Sequence, residues 1–179
     1  NGEINIMSTL KVSTISPLGT DATKTITLGE SGGTLGIASG AKTSGFGKVG
    51  QIVTATTTSN TITSSTSFVI TNLSASITPT STTSKILIIV SGNTFVSSGE
   101  ECVSTLYRDS SNLSDTKGFN SISNSAGTLT GVNNITFLDS PSTTSSTTFT
   151  LYIRSVGGGS VNHIGNAAKA TITLMEILD

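Results

Sequence analysis

The chain has 179 residues, with nine basic and ten acidic side chains and a net charge of −1. Ser and Thr make up 63 of its residues, while charged residues reach only 11%, aromatics 4%, and Trp is absent. A third of the chain is hydrophobic at near-zero net charge, which excludes intrinsic disorder. The scarcity of Ala, Glu, Lys, Leu and Arg excludes a coiled coil or long helical bundle, and the balanced charge leaves no basic face for nucleic acid. The single cysteine, Cys102, allows neither an intrachain disulfide nor a Cys-based zinc site. The longest apolar run, Ile86 to Val90, is strand-sized, so no membrane insertion is expected. No basic-then-apolar leader is read at the start of the sequence; Met7 is expected as the native start, with Asn1 to Ile6 a vector or tag remnant, the alternative being a processed start.

Residues 1–50 differ from the rest. Nine glycines fall between Gly19 and Gly50. Apolar residues come in short alternating groups: Leu10, Val12 and Ile15; Ile26 and Leu28; Leu35 and Ile37. Strands this short cannot close a core within one chain. They predict a thin β-stem in which several copies wrap around an axis, each contributing those seven side chains.

Residues 51–179 read as a separate β-domain. Thr61 to Ile70 is strand-like. Leu73, Ala75 and Ile77 then alternate with Ser74, Ser76 and Thr78, giving one apolar and one hydroxyl face. The phase slips between Ile70 and Leu73, so Thr71-Asn72 predicts a bulge or turn. Lys85 to Val90 predicts a central strand. Cys102 to Arg108 follows, with Val103, Thr105 and Tyr107 on one face, and then Val132 to Asp139. Phe149, Leu151 and Ile153 alternate with Thr148, Thr150, Tyr152 and Arg154, and Ala170 to Ile177 closes the chain. No segment has helical spacing. Seven or eight strands separated by turn signals predict a sandwich or jelly roll. Phe68, Phe137 and Phe149 are expected in its core, so no aromatic sugar platform is anticipated.

Gly29-Glu30-Ser31-Gly32-Gly33 fits the G-x-S-x-G serine elbow, with His163 and Asp139 as nominal partners. The helix that must follow the serine is missing, so the string reads as a Gly-rich turn. Gly45 to Gly50 fits G-x-G-x-x-G, but a strand-forming segment follows where a dinucleotide site needs a helix. It reads as a hinge. His163 alone makes no metal site and is expected in an exposed loop or strand. Asp109, Asp115 and Asp139 match no calcium-loop spacing. No enzyme activity, cofactor or metal is expected. Long polar loops from Asp109 to Gly131 and from Gly157 to Ala168 are where binding is expected, with Asp109, Asn112, Asp115, Lys117, Asn162, His163 and Asn166 as candidate receptor contacts.

Several strings, taken in order, resemble small fibre proteins of tailed bacteriophages, notably those of marine cyanobacteria. They are Ser8-Thr-Leu-Lys-Val-Ser-Thr-Ile15, Thr25-Ile-Thr-Leu-Gly-Glu-Ser-Gly-Gly-Thr34 and Ala38-Ser-Gly-Ala-Lys-Thr-Ser-Gly-Phe-Gly-Lys48 in the stem. In the head they are Ser76-Ile-Thr-Pro-Thr-Ser-Thr-Thr-Ser-Lys-Ile-Leu-Ile88, Leu106-Tyr-Arg-Asp109, Phe137-Leu-Asp-Ser-Pro141 and Ile172-Thr-Leu-Met-Glu-Ile177. The resemblance implies a homotrimeric virion fibre with a β-stem and a jelly-roll head, similar in type to tumour-necrosis-factor and complement-type globular heads. It implies that the stem joins other virion proteins and that the head binds a host-surface glycan or protein. It also admits a capsid decoration or head-fibre protein, whose partner would be the major capsid protein. It implies no catalytic residues.

Overall fold

The computed structural model describes residues 48–164 and 168–178. The stem residues Leu10, Val12, Ile15, Ile26, Leu28, Leu35 and Ile37 therefore lie outside the described residues, as does Asn166. Eleven strands and no helix are found among the described residues: β1 (Val49–Thr57), β2 (Thr61–Thr63), β3 (Val69–Ile77), β4 (Lys85–Val96), β5 (Glu101–Arg108), β6 (Ser111–Asn112), β7 (Asn120–Ser123), β8 (Leu129–Asp139), β9 (Thr147–Ser155), β10 (Val161–His163) and β11 (Ala170–Ile177).

The strands form two antiparallel sheets packed as a β-sandwich. The first runs β1-β11-β4-β8; β10 and then β2 continue it beside the far end of β4, on the edge that β11 leaves free. The second runs β3-β9-β5, with β6 and β7 both on the remaining edge of β5. The pairing is nested. β1 and β11 pair in the first sheet, β3 and β9 in the second, β4 and β8 in the first, and β5 and β7 in the second.

Period-2 alternation decides what faces inward. Ile86, Ile88 and Val90 of β4 and Ile172 and Leu174 of β11 meet Leu73, Ala75 and Ile77 of β3, Phe149 and Leu151 of β9, and Leu106 of β5. A smaller cluster of Val96, Cys102, Ile153 and Val161 fills the other end. Burial pushes the Cys102 thiol pKa up to about 12, so it is a packing residue and not a nucleophile. Polar residues separate the two clusters. Thr94 lies between Val90 and Val96, and Ser104 between Cys102 and Leu106. Asn133 of β8 donates to both, at 3.2 and 2.8 Å.

The expected slip after Ile70 is a real bulge: the β3–β9 register shifts between Ile70 and Ser74. Thr71 holds it, its hydroxyl donating to the Leu151 carbonyl at 2.8 Å and accepting from the Leu73 amide at 3.2 Å.

Three expectations need correction. Asp109 to Gly131 is not one open loop; it contains β6, β7 and the start of β8, which begins at Leu129 rather than Val132. Its hydroxyl-rich composition hid strands whose backbones pair with β5. The segment from Gly157 to Ala168 likewise contains β10. His163 is not exposed but fully buried, because β10 pairs on both edges, with β2 and β4, and turns the imidazole inward.

Candidate functional site

The outer face of the second sheet carries an aromatic cluster. Tyr107 on β5 and Tyr152 on β9 both point outward; their residues sit diagonally, because Thr105 is opposite Tyr152 and Tyr107 opposite Thr150. Their rings stack at 3.9 Å between centroids. Phe68 meets Tyr107 edge-on at 6.4 Å. Phe68 is therefore not a fully buried core residue as expected, since it precedes β3 on the outward side and stays partly exposed. Ile70, 57% exposed, extends the apolar surface beside Tyr152.

Arg154 sits within this cluster. Its guanidinium lies 5.4 Å from the Phe68 centroid, within cation–π reach. Arg154 Nη2 also donates to the Thr116 carbonyl at 2.7 Å. Among the described residues the salt bridge is Arg108–Asp139, in which Arg108 Nη1 reaches both carboxylate oxygens at 3.1 and 2.8 Å. Arg154 has no carboxylate of the described residues at such a distance. The acid next along this face of β5, Glu101, accepts from the Ser121 hydroxyl.

Thr116 reaches Arg154 because the chain after β6 folds back over β5. Thr105 donates its hydroxyl to Asn112 Oδ1 at 2.7 Å, and the Phe119 amide donates to the Ser104 carbonyl at 2.8 Å. Gly118 permits the return: its φ is +67°, and a Cβ there would run into the Ser104 carbonyl. Only glycine adopts such a conformation without steric cost. The result is a groove of about 350 Å³ lined by Thr66, Ser67, Phe68, Thr116 and Arg154. On the Thr66 side, Ser65 fixes the turn by accepting from the Ser67 amide at 3.1 Å and donating to its carbonyl at 2.9 Å.

The expected contact residues divide unevenly around this groove. Asp115 and Lys117 flank Thr116 and are exposed at its lip, with the Asp115 carboxylate accepting from the Lys117 amide at 2.7 Å. Asn112 is the last residue of β6, and its Oδ1 accepts from the Thr105 hydroxyl and from the Ser114 amide. Asp109, at φ 52°, accepts from the Thr148 amide at the opposite end of β5. In both, a side-chain oxygen is engaged within the fold. Asn162 lies on the other sheet, lining a second recess of about 290 Å³ with Asn60, Ile62 and Phe95. His163 is sealed inside, where burial lowers its pKa to about 4 and neither ring nitrogen has a side-chain partner. With Asp139 held by Arg108, the His163–Asp139 pairing that a serine mechanism would require is not formed; Ser31 lies outside the described residues. Among the described residues no cluster of His, Cys, Asp and Glu has the arrangement to hold a metal ion.

The outer face of the first sheet is different. Ile52, Met175, Leu87 and Leu138 form one row across β1, β11, β4 and β8. Ile52 is 58% and Leu138 48% exposed. The next row is Thr54, Thr173, Ile89 and Thr136. Among the described residues Lys85 is the only charged side chain that the register places on this face.

The glycines of the Gly157 to Ala168 segment have a structural use. Glu100 accepts from the Ser155 hydroxyl at 2.7 Å and from the Gly157 amide at 3.1 Å. A Cβ on Gly157 or Gly159 would come within 2.8 or 2.5 Å of its carboxylate. These hydrogen bonds, that from Ser155 foremost, hold the Glu100 carboxyl below its ordinary range, because they favour the charged form.

The missed residues were Tyr107, Tyr152, Phe68 and Arg154. Alternation alone points Tyr107, Tyr152 and Arg154 outward, which is a signal present in the sequence. That they meet depends on β5 pairing with β9, and on a fold-back that no local pattern marks. No protein-family model matches the chain, and no curated protein matches it.

Proposed function

We propose that the chain is a bacteriophage virion fibre or spike protein, a homotrimer whose head binds a receptor on the host surface. The observation that carries this reading is the aromatic–guanidinium groove on a sheet face otherwise rich in Ser and Thr. Aromatic and Arg side chains held in fixed geometry are the residue types that anchor recognition, and nothing in the packing of the sandwich requires them outside. The nested pairing of strands supports a jelly-roll head, since folding one long hairpin on itself gives that order. The apolar, nearly uncharged row on the first sheet supports self-association on that face, because copies stacked around an axis would repeat any charge at close range. Three heads presenting one groove each would raise weak single-site affinity through avidity. No helix among the described residues is long and apolar enough to cross a membrane.

Two measurements test the proposal. Fluorescently labelled protein should bind intact host bacteria; a protein that labels no host cells yet decorates purified capsids would instead be a capsid decoration protein. Solution mass at micromolar concentration should correspond to three chains, and a single-chain mass would end the trimer reading.

A further inference from the structure

We infer that the groove bounded by Thr66–Phe68 on one side and Thr116 on the other takes a carboxylate-bearing sugar residue. The inference deepens the receptor reading and rests on it. Arg154 supplies the charge. One of its nitrogens is engaged by the Thr116 carbonyl, and its plane is steadied by Phe68, so the guanidinium is held in place before any ligand arrives. Guanidinium carries five N–H donors in a fork that matches a carboxylate, and no acidic side chain among the described residues is within salt-bridge distance of it. Lys117 and Asp115, both exposed on either side of Thr116, are one positive and one negative charge and offset each other, which leaves Arg154 as the cation that lines the groove. A free anion is thus favoured over a neutral ligand at this point.

The surroundings specify the rest of the ligand. The hydroxyl-bearing residues Thr66 and Ser67 offer donors and acceptors along one wall. The Phe68, Tyr107 and Tyr152 rings supply an apolar flank next to it. A pyranose carries hydroxyls around its rim and C–H groups on its face, so it answers both features at once. The groove holds about 350 Å³. That is at the small end of the range for ligand pockets, and it suits one or two sugar rings rather than a folded partner.

The test uses the full chain and two sugars that differ only at C6, methyl β-glucuronoside with a carboxylate and methyl β-glucoside with a hydroxymethyl group, titrated while backbone amide signals are followed by NMR. The glucuronoside should shift the Thr66, Ser67, Phe68, Thr116 and Arg154 signals and bind at least tenfold more tightly than the glucoside. Arg154→Gln should erase that preference with a melting temperature within about 2 °C of the parent, whereas Arg154→Lys should keep part of it. Equal affinity for the two sugars, no shift with either, or an Arg154→Gln protein that still prefers the glucuronoside would overturn the inference. So would inorganic phosphate competing as well as the glucuronoside, since the site would then read charge alone. The two readings fail separately. Host-cell labelling that excess glucuronoside leaves untouched overturns this assignment but not the receptor role. Glucuronoside binding by a protein that labels no cells keeps the assignment and ends the receptor role.

Discussion

The two outer faces of the sandwich are made from the same stock of Thr, Ser and aliphatic side chains, yet they present different chemistry. On the first sheet, four long strands run side by side, so outward residues fall into straight rows; one row is entirely apolar, Ile52, Met175, Leu87 and Leu138. A flat surface of this kind complements another flat surface. On the second sheet, the chain beyond β5 doubles back and Thr66–Phe68 rises at the other side, leaving a groove with a cation in it. A concave polar site complements a small ligand. The difference arises less from composition than from connectivity: β4 and β8 pair along eleven residues of each strand without a break, whereas the free edge of β5 is shared by β6 and β7 with a fold-back between them.

Changes aimed at one face should leave the other alone. The largest expected effect is on association. Leu87→Asp combined with Leu138→Asp would place unpaired carboxylates in the proposed subunit contact, and breaking a buried contact with an uncompensated charge costs about 3–5 kcal/mol. Sedimentation at micromolar concentration should then show single chains that still bind the acidic sugar. A trimer that survives both substitutions would mean that this face is not the contact.

Acid should act on the interior that both faces share. Burial lowers the His163 pKa from 6.5 to about 4. Above pH 6.5 the imidazole is neutral in both states and stability is complete. Between 6.5 and 4 the unfolded chain binds a proton that the folded one rejects. Stability therefore falls with pH, by about 3 kcal/mol across the window. Glu176 adds to this in the same direction: burial raises its carboxyl, but hydrogen bonds from Gln51 and Thr80 outweigh that and bring it below its ordinary value. Denaturant melts from pH 7 to 4 should show the decline, and His163→Leu should flatten most of it; an unchanged slope would remove His163 as the cause.

Gly159→Ala would displace the Glu100 carboxylate from its seat against the backbone. It should cost about 1–2 kcal/mol, read as a lower melting temperature with the mass unchanged. The smallest effect on the fold should come from Arg154→Gln, about 0.5 kcal/mol or less in stability, with loss of the preference for the acidic sugar and no change in association.

Much of the sandwich was legible in the chain because burial and strand periodicity coincide there. Leu73, Ala75 and Ile77, and Phe149, Leu151 and Ile153, alternate with polar residues and all face inward, and even the bulge at Thr71 was visible as a lost phase. His163 and β10 were not, since a three-residue strand flanked by Gly and Ser has no periodicity to read. The groove was half legible. Tyr152 and Arg154 stand out of phase with the core of β9, so their outward direction follows from alternation. Phe68 misled because a large aromatic beside Val69 and Ile70 reads as core, and only the packed structure turns it outward against Tyr107. Asp115 and Lys117 were found as loop residues; that their loop closes over Arg154 depends on Gly118 and on backbone bonds to Ser104, which are long-range facts.

The claim that one face meets copies of the chain while the other meets a ligand can be tested in one experiment, hydroxyl-radical footprinting of the full chain at micromolar concentration with mass-spectrometric readout. Met175, Leu87, Leu138 and Ile52 should be protected well beyond their exposure in a single chain, while Phe68, Tyr107 and Tyr152 should react at the rate their exposure allows. Free reaction along the Ile52–Leu138 row, or protection of the tyrosines in its place, would contradict the account.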